Sequence, residues 1–254
     1  MSAFTHEMAR CYRRYRPPFP QSLLDDLVAR TGVSRSGRLL DLACGTGRIA
    51  VAIAPAFAAV DAVDLEPAMI AEGEAATVER GIGNIAWHTG KAEAFDTATA
   101  IYRLITIGDA FHRFGPASLA AMHSWLSPGG AIAALRSFDT LSGAEPWHRP
   151  LRDLVTRFSG RDAEILSTPP PADACEATLK AHGFADVATF TFTTPYVWTV
   201  EAILGNLAST SFCATHLLGP RAEEFEGAVR QALSTYAPDD LRETLSFSYT
   251  FGRR

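Results

Sequence analysis

A chain of 254 residues, 47% hydrophobic and 20% charged, has the composition of an ordinary globular protein and is long enough for one large domain or a domain with a cap. A net charge of −5 argues against a general nucleic-acid surface, and no apolar run reaches membrane-spanning length. The four cysteines (Cys11, Cys44, Cys175, Cys213) are far apart with no C-x-x-C pair, which argues against zinc and predicts reduced thiols in a cytoplasmic protein.

A basic cluster, Arg10, Arg13, Arg14 and Arg16, is interleaved with Tyr12 and Tyr15 and precedes the first strand. Leu39, Leu40 and Leu42 form that strand, which runs into Gly45-Thr46-Gly47. Ile49, Ile53 and Phe57 then recur at helical spacing. Ala58 to Asp64 reads as a second strand. Pro67 stands at the first position of a helix that runs to about Arg80, where Gly81 stops it. Ile85 to His88 is a third strand and Leu104 to Ile107 a fourth. A helix from about Pro116 carries Leu119, Met122 and Leu126 on one face, Pro128-Gly129-Gly130 breaks it, and Ala131 to Leu135 is a fifth strand. This alternation predicts an α/β fold with a parallel, doubly wound sheet.

From Ser137 to about Ala185 the pattern loosens around Trp147, His148 and Pro169-Pro170-Pro171, which reads as inserted helices and loops. Phe190 and Phe192 alternate with threonines in a sixth strand. Thr199 is placed to cap a helix bearing Ile203, Leu204 and Leu207, and a further helix carries Phe225, Val229 and Leu233. Leu245, Phe247, Tyr249 and Phe251 alternate with Ser246, Ser248 and Thr250 in a last, half-buried strand. The predicted organisation is a single domain over 1–254. Within it lie an N-terminal lid with helices (1–37), a cofactor-binding half (38–137), an inserted cap (138–185) and C-terminal strands and helices (186–254).

The chemistry centres on the glycine turn. A strand, a tight turn and a helix N-terminus bring backbone N–H groups close to a bound cofactor. Gly45-Thr46-Gly47-Arg48-Ile49-Ala50 also fits the dinucleotide fingerprint G-x-G-x-x-A, so the glycines alone do not discriminate. Asp41, four positions before Gly45, suits an ammonium group better than a pyrophosphate. S-adenosylmethionine carries an ammonium and a sulfonium.

The stretch Leu39–Ala50 resembles motif I of the class I S-adenosylmethionine-dependent methyltransferases, in the small-molecule branch related to trans-aconitate and ubiquinone-type enzymes. Ala43 stands where that family usually has glycine. The likeness covers most of the first 137 residues. It implies a Rossmann-like, mostly parallel seven-stranded sheet in the order 3-2-1-4-5-7-6 with the last strand antiparallel. S-adenosyl-L-methionine is the implied cofactor, with O-methylation of a small-molecule carboxylate or hydroxyl. Neither nucleic acid nor membrane is implied as a partner. A nicotinamide-dependent oxidoreductase and a non-catalytic S-adenosylmethionine-binding accessory protein stand as alternatives.

On this reading the cofactor lies against Asp41, Ala43, Gly45, Gly47, Asp64, Leu65, Met69, Ala92, Glu93, Gly108 and Asp109. Asp64, at the end of the second strand, is placed to accept hydrogen bonds from both ribose hydroxyls, or else to cap the helix at Pro67, as Glu66 also can. Thr89-Gly90-Lys91-Ala92-Glu93 follows the third strand where the family often has G-D-A-E. Lys91 cannot accept the adenine amino proton, so Ala92 and Glu93 are expected near adenine. Gly108-Asp109-Ala110-Phe111-His112 follows the fourth strand and is expected beside the reacting centre. There His112 is either a base or a structural histidine holding the loop. Acceptor contacts are expected from Tyr12, Arg16, Phe111, His112 and Trp147. The segment Tyr12 to Pro20 is similar to the family's aromatic-arginine-proline entry, which commonly folds across the cofactor.

Overall fold

The computed structural model describes residues 4–138, 141–162 and 174–254. The prolines 169–171 lie outside the described residues. Along the chain run α1 (His6–Tyr15), α2 (Gln21–Thr31), β1 (Arg38–Leu42), α3 (Ala50–Ile53), β2 (Ala59–Asp64), α4 (Pro67–Glu79), β3 (Ile85–Thr89) and β4 (Tyr102–Gly108). Then come α5 (Pro116–Trp125), β5 (Leu126–Arg136), α6 (His148–Ser159), α7 (Ala174–Ala181), β6 (Ala185–Val197), α8 (Val200–Ala208), α9 (Thr215–Leu218), α10 (Ala222–Leu233) and β7 (Arg242–Arg253).

The seven strands form one sheet in the order β3-β2-β1-β4-β5-β7-β6, and β7 pairs antiparallel to β5 while β1 to β5 pair in parallel. Order and direction are those the resemblance implies. The local signals also hold. Pro67 opens α4, Gly81 takes φ +64° just past its end, and the Thr199 hydroxyl accepts the Ala202 N–H at 3.0 Å to cap α8.

One boundary differs from the sequence pattern. The helix expected to carry Leu126 ends at Trp125, and Leu126 already pairs with Tyr102 as the first residue of β5. Pro128 disfavours a helical conformation for the residue before it. Gly129 then takes φ +70°, and the register between β4 and β5 shifts within this stretch. Pro128-Gly129-Gly130 is thus an irregularity inside a strand.

By their contacts the residues group into two compact units, with breaks at Pro17/Pro18, Ser137/Phe138, Phe192/Thr193 and Leu245/Ser246. The first unit contains α1, α6, α8, α9 and α10. Its apolar interior includes Leu151, Val155 and Phe158 of α6 and Phe225, Val229 and Leu233 of α10, all buried. Phe158 and Phe225 meet with ring centres 5.3 Å apart. The Tyr15 ring of α1 lies so close to Gly205 of α8 that a Cβ there would stand 2.0 Å from it.

The second unit contains the sheet up to the point where β6 and β7 leave it, with α2, α3, α4, α5 and α7. Leu40, Leu42, Ile105, Ile107 and Ile132 of the strands pack with Leu119, Met122 and Trp125 of α5 and with Leu179 of α7. Fully burying each such side chain is worth about 1.5–3 kcal/mol. That packed face fixes where the strands end.

Candidate functional site

The turn after β1 is fastened from two sides. Ala43, Gly45 and Gly47 all take left-handed backbone, at φ +51°, +57° and +73°. Ala43 therefore holds a conformation that glycine adopts without strain, which accounts for the family's usual residue there. Asp64, at the end of β2, accepts the Gly45 N–H at 2.7 Å through Oδ2 and the Glu66 N–H at 2.9 Å through Oδ1. Burial moves the Asp64 carboxyl above its ordinary value, against those two backbone hydrogen bonds. Glu66 occupies the cap position of α4, but its side chain makes no capping bond.

Asp41 differs from expectation. It is 0% exposed, accepting the Thr106 hydroxyl at 2.7 Å through Oδ1 and the Ala50 N–H at 3.1 Å through Oδ2. Its carboxylate thus faces inward, joining β1 to β4 and to the first turn of α3, rather than outward to an ammonium. Burial raises its pKa to about 7, even against these two hydrogen bonds.

Trp87 of β3 was not singled out by its position in the sequence, yet it shapes the turn. A Cβ on Gly47 would stand 2.4 Å from the Trp87 ring, and one on Gly73 of α4 would stand 2.3 Å from it. Both glycines are required by the same indole. No sequence signal marks Trp87, because the contact joins three elements that are remote along the chain.

The remaining residues expected around a cofactor follow the ends of parallel strands and so share one edge of the sheet. Leu65 is 55% exposed, and Met69 is buried with its Cε 3.9 Å from where a Gly45 Cβ would lie. Ala92 and Glu93 lie in a short 3₁₀ turn (Ala92–Ala94) after β3, with Glu93 and the preceding Lys91 exposed. Gly108 ends β4 with Ile49 packed where its Cβ would be, at 2.8 Å. Asp109 takes φ +53° and accepts the Ser137 N–H at 2.7 Å and the Ser137 hydroxyl at 2.6 Å. Phe111 packs partly against the core, and His112 is exposed in the 3₁₀ turn Phe111–Arg113.

Tyr12, Arg16 and Trp147 belong to the other unit. The Arg16 guanidinium lies 5.0 Å from the centre of the Tyr12 ring, and its Nε donates to the Ser209 hydroxyl at 2.9 Å. Trp147, expected to touch the acceptor, is only 1% exposed and stacks on His148 at 3.6 Å. His148 Nε2 stands 3.3 Å from Glu243 Oε2 without hydrogen-bond geometry, and Glu243 Oε1 accepts the Trp198 indole N–H at 2.6 Å. Trp147 thus belongs to a buried aromatic and polar cluster whose members Trp198 and Glu243 the local sequence pattern does not mark.

Among the described residues no cluster of three or more histidine, cysteine or acidic side chains is arranged to hold a metal ion. Among them, too, no helix is long and apolar enough to cross a membrane.

A family model described as "Methyltransferase domain" matches residues 39–130, the stretch that contains the glycine turn and β1 to β4. An uncharacterized methyltransferase of Mycobacterium tuberculosis is 26% identical over 226 residues, covering 89% of this chain and 83% of its own. A ubiquinone/menaquinone biosynthesis C-methyltransferase of Zymomonas mobilis is 31% identical over 118 residues, 46% of this chain and 49% of that one. Among solved structures, the YcgJ protein of Bacillus subtilis superposes with a TM-score of 0.59 at 15% identity, over 92% of this chain and 99% of that one. Phosphoethanolamine N-methyltransferase 2 of Haemonchus contortus, solved with S-adenosylhomocysteine, does so with a TM-score of 0.59 at 14% identity, over 98% and 57%. At these identities the two structures speak for the fold alone. Residues 39–130 thus carry a methyltransferase domain, and over that stretch the chain is similar to the class I S-adenosylmethionine-dependent methyltransferases.

Proposed function

We propose that this enzyme methylates a small molecule on oxygen, at a carboxylate or a hydroxyl, and that it works in the cytoplasm. The observation that carries the oxygen reading is Arg16. Its guanidinium is half-buried, stacked on Tyr12 and anchored through Nε, and among the described residues its two terminal nitrogens make no hydrogen bond. A planar fork held in this way suits a carboxylate-bearing acceptor. The four free thiols support the cytoplasmic reading.

The residues around the glycine turn fit the cofactor. Asp64 has one backbone bond on each oxygen and lone pairs left for two ribose hydroxyls. Thr46 Oγ1, inside the turn, is buried and without a hydrogen-bond partner among the described residues, as a group awaiting a ligand would be. Gly45, Gly47, Ala43, Leu65 and Met69 would line the cofactor, with Ala92 and Glu93 at adenine and Gly108 and Asp109 at the end of β4. Asp41 acts through the turn it fastens. When bound, the cofactor supplies a methyl group on a sulfonium.

The protein's share of the reaction is placement. Phe111, after the end of β4, orients the acceptor, and an ionised carboxylate then needs no base. For a hydroxyl acceptor, His112 takes the proton as the oxygen–carbon bond forms.

The test is incubation with isotopically labelled S-adenosylmethionine and a panel of small carboxylates, alcohols, phenols and amines. Label in a base-labile ester or a base-stable ether supports the proposal. Label found only on nitrogen or carbon overturns it.

A further inference from the structure

Arg48 directly follows Gly47, and its side chain is only 13% exposed. Its guanidinium carbon lies 4.7 Å from the centre of the Phe19 ring, and Nη1 stands 3.9 Å from Asp109 Oδ2. Both neighbours are themselves held. Phe19 is buried and packs on Phe247 with ring centres 5.7 Å apart, and Asp109 is bound through both oxygens by Ser137. The guanidinium is therefore clamped between an aromatic face and a carboxylate, where the turn after β1 meets the ends of β4 and β5. The side chain's ordering cost is met within the protein itself, so a ligand bound to it would not have to supply it.

The charges at this edge matter. Asp64 and Asp109 stand at the ends of β2 and β4, with Glu66 just after β2 and Glu93 in the turn after β3. The cofactor's amino-acid end carries an ammonium, which acidic groups favour, and a carboxylate, which they repel. A carboxylate placed there needs a cation held against the turn. Lys91 and Arg113 lie near the same edge but are exposed to solvent, where screening weakens them. Arg48 is part of the turn, shielded and fixed in orientation.

We infer that Arg48, held by Asp109 and Phe19, binds the carboxylate of the cofactor's methionine end. This rests on the glycine turn being the cofactor cradle. Arg16 is left to the acceptor.

Calorimetry with S-adenosylhomocysteine and with its decarboxylated analogue tests the assignment without any turnover. The unmodified protein should prefer the carboxylate-bearing ligand by about tenfold or more, the scale of a charge-assisted hydrogen bond. Arg48→Gln should lose that preference by weakening S-adenosylhomocysteine while leaving the analogue nearly unchanged, and Arg48→Lys should restore part of it. Arg16→Gln should keep the preference, and thermal melting confirms that each variant is folded. Equal weakening of both ligands by Arg48→Gln would make Arg48 only a strut of the turn and overturn the inference. So would a preference that survives in Arg48→Gln, or one that disappears in Arg16→Gln instead. Failure of the unmodified protein to bind S-adenosylhomocysteine would overturn the cradle reading too, and it is distinguishable because no variant is involved.

Discussion

Asp64 Oδ2 accepts the Gly45 backbone N–H at 2.7 Å, so the acidic end of β2 and the glycine turn after β1 are held as one piece. Its other oxygen takes the Glu66 N–H and so sets the entry into α4. A residue expected to hold ribose is thus also the anchor of the turn beside it.

Asp64→Ala should weaken binding of S-adenosylmethionine by roughly 1.5–3 kcal/mol, the range for hydrogen bonds to a charged group. The melting temperature should fall as well, because the Gly45 N–H loses its acceptor. Calorimetry and a thermal melt on the same sample separate the two effects. A destabilised variant with undiminished affinity would leave Asp64 as an anchor alone.

Two buried aspartates should move stability with pH in opposite directions. Asp41 has a folded pKa raised to about 7, so the native state holds a proton that the unfolded chain releases near 3.9. Its contribution therefore declines as pH rises from about 4 to about 7. At Asp61 burial also pushes the carboxyl up, but hydrogen bonds from Arg38 at 2.6 Å, His88 at 3.0 Å and Tyr102 at 3.0 Å outweigh it and hold the pKa below its ordinary value. That stabilisation is present above the unfolded pKa and is lost as pH falls through the folded one. Denaturant melts from pH 3 to 8 should show Asp41→Asn flattening the decline toward neutrality. Asp61→Asn should lose about 1–3 kcal/mol at neutral pH, the cost of disrupting a buried hydrogen-bonded group, and less in acid.

Gly47→Ala should destabilise the protein by about 1–3 kcal/mol, because a Cβ there meets the Trp87 ring and the backbone has left-handed φ. Adding Trp87→Leu should recover the steric part and leave the backbone part. Additive losses in the double variant, read from denaturant midpoints, would show that the ring and the glycine are energetically independent.

His112→Gln should cut turnover by roughly 10²–10⁴ if the acceptor is a hydroxyl that must lose a proton, with cofactor affinity nearly unchanged. The side chain is exposed and sits apart from the buried core, so the variant should fold normally. A loss below about tenfold, short of that range, would point to an acceptor that is already ionised.

Local chemistry written in the sequence survives folding wherever a short stretch decides the outcome. Gly45-Thr46-Gly47 announces the turn, Pro67 and Gly81 bracket α4, and Thr199 caps α8, because each acts on its own backbone or on a neighbour a few positions away. The strand at Leu245–Phe251 is legible for the same reason, since alternation needs only the pleat. Its antiparallel direction came from resemblance and not from periodicity.

What the residues alone determine about this protein is therefore the set of elements and the place where a glycine turn meets strand ends. Tertiary structure decides which way each side chain faces. Asp41 turns inward because Thr106 and the Ala50 N–H are there to receive it, and these partners lie 65 and 9 positions away. Trp147 disappears into a cluster with Trp198 and Glu243, and Arg48 is gripped between Phe19 and Asp109. Each of these outcomes depends on contacts between segments remote along the chain. Spacing and composition carry no record of such contacts, because they form only when the strands and helices pack.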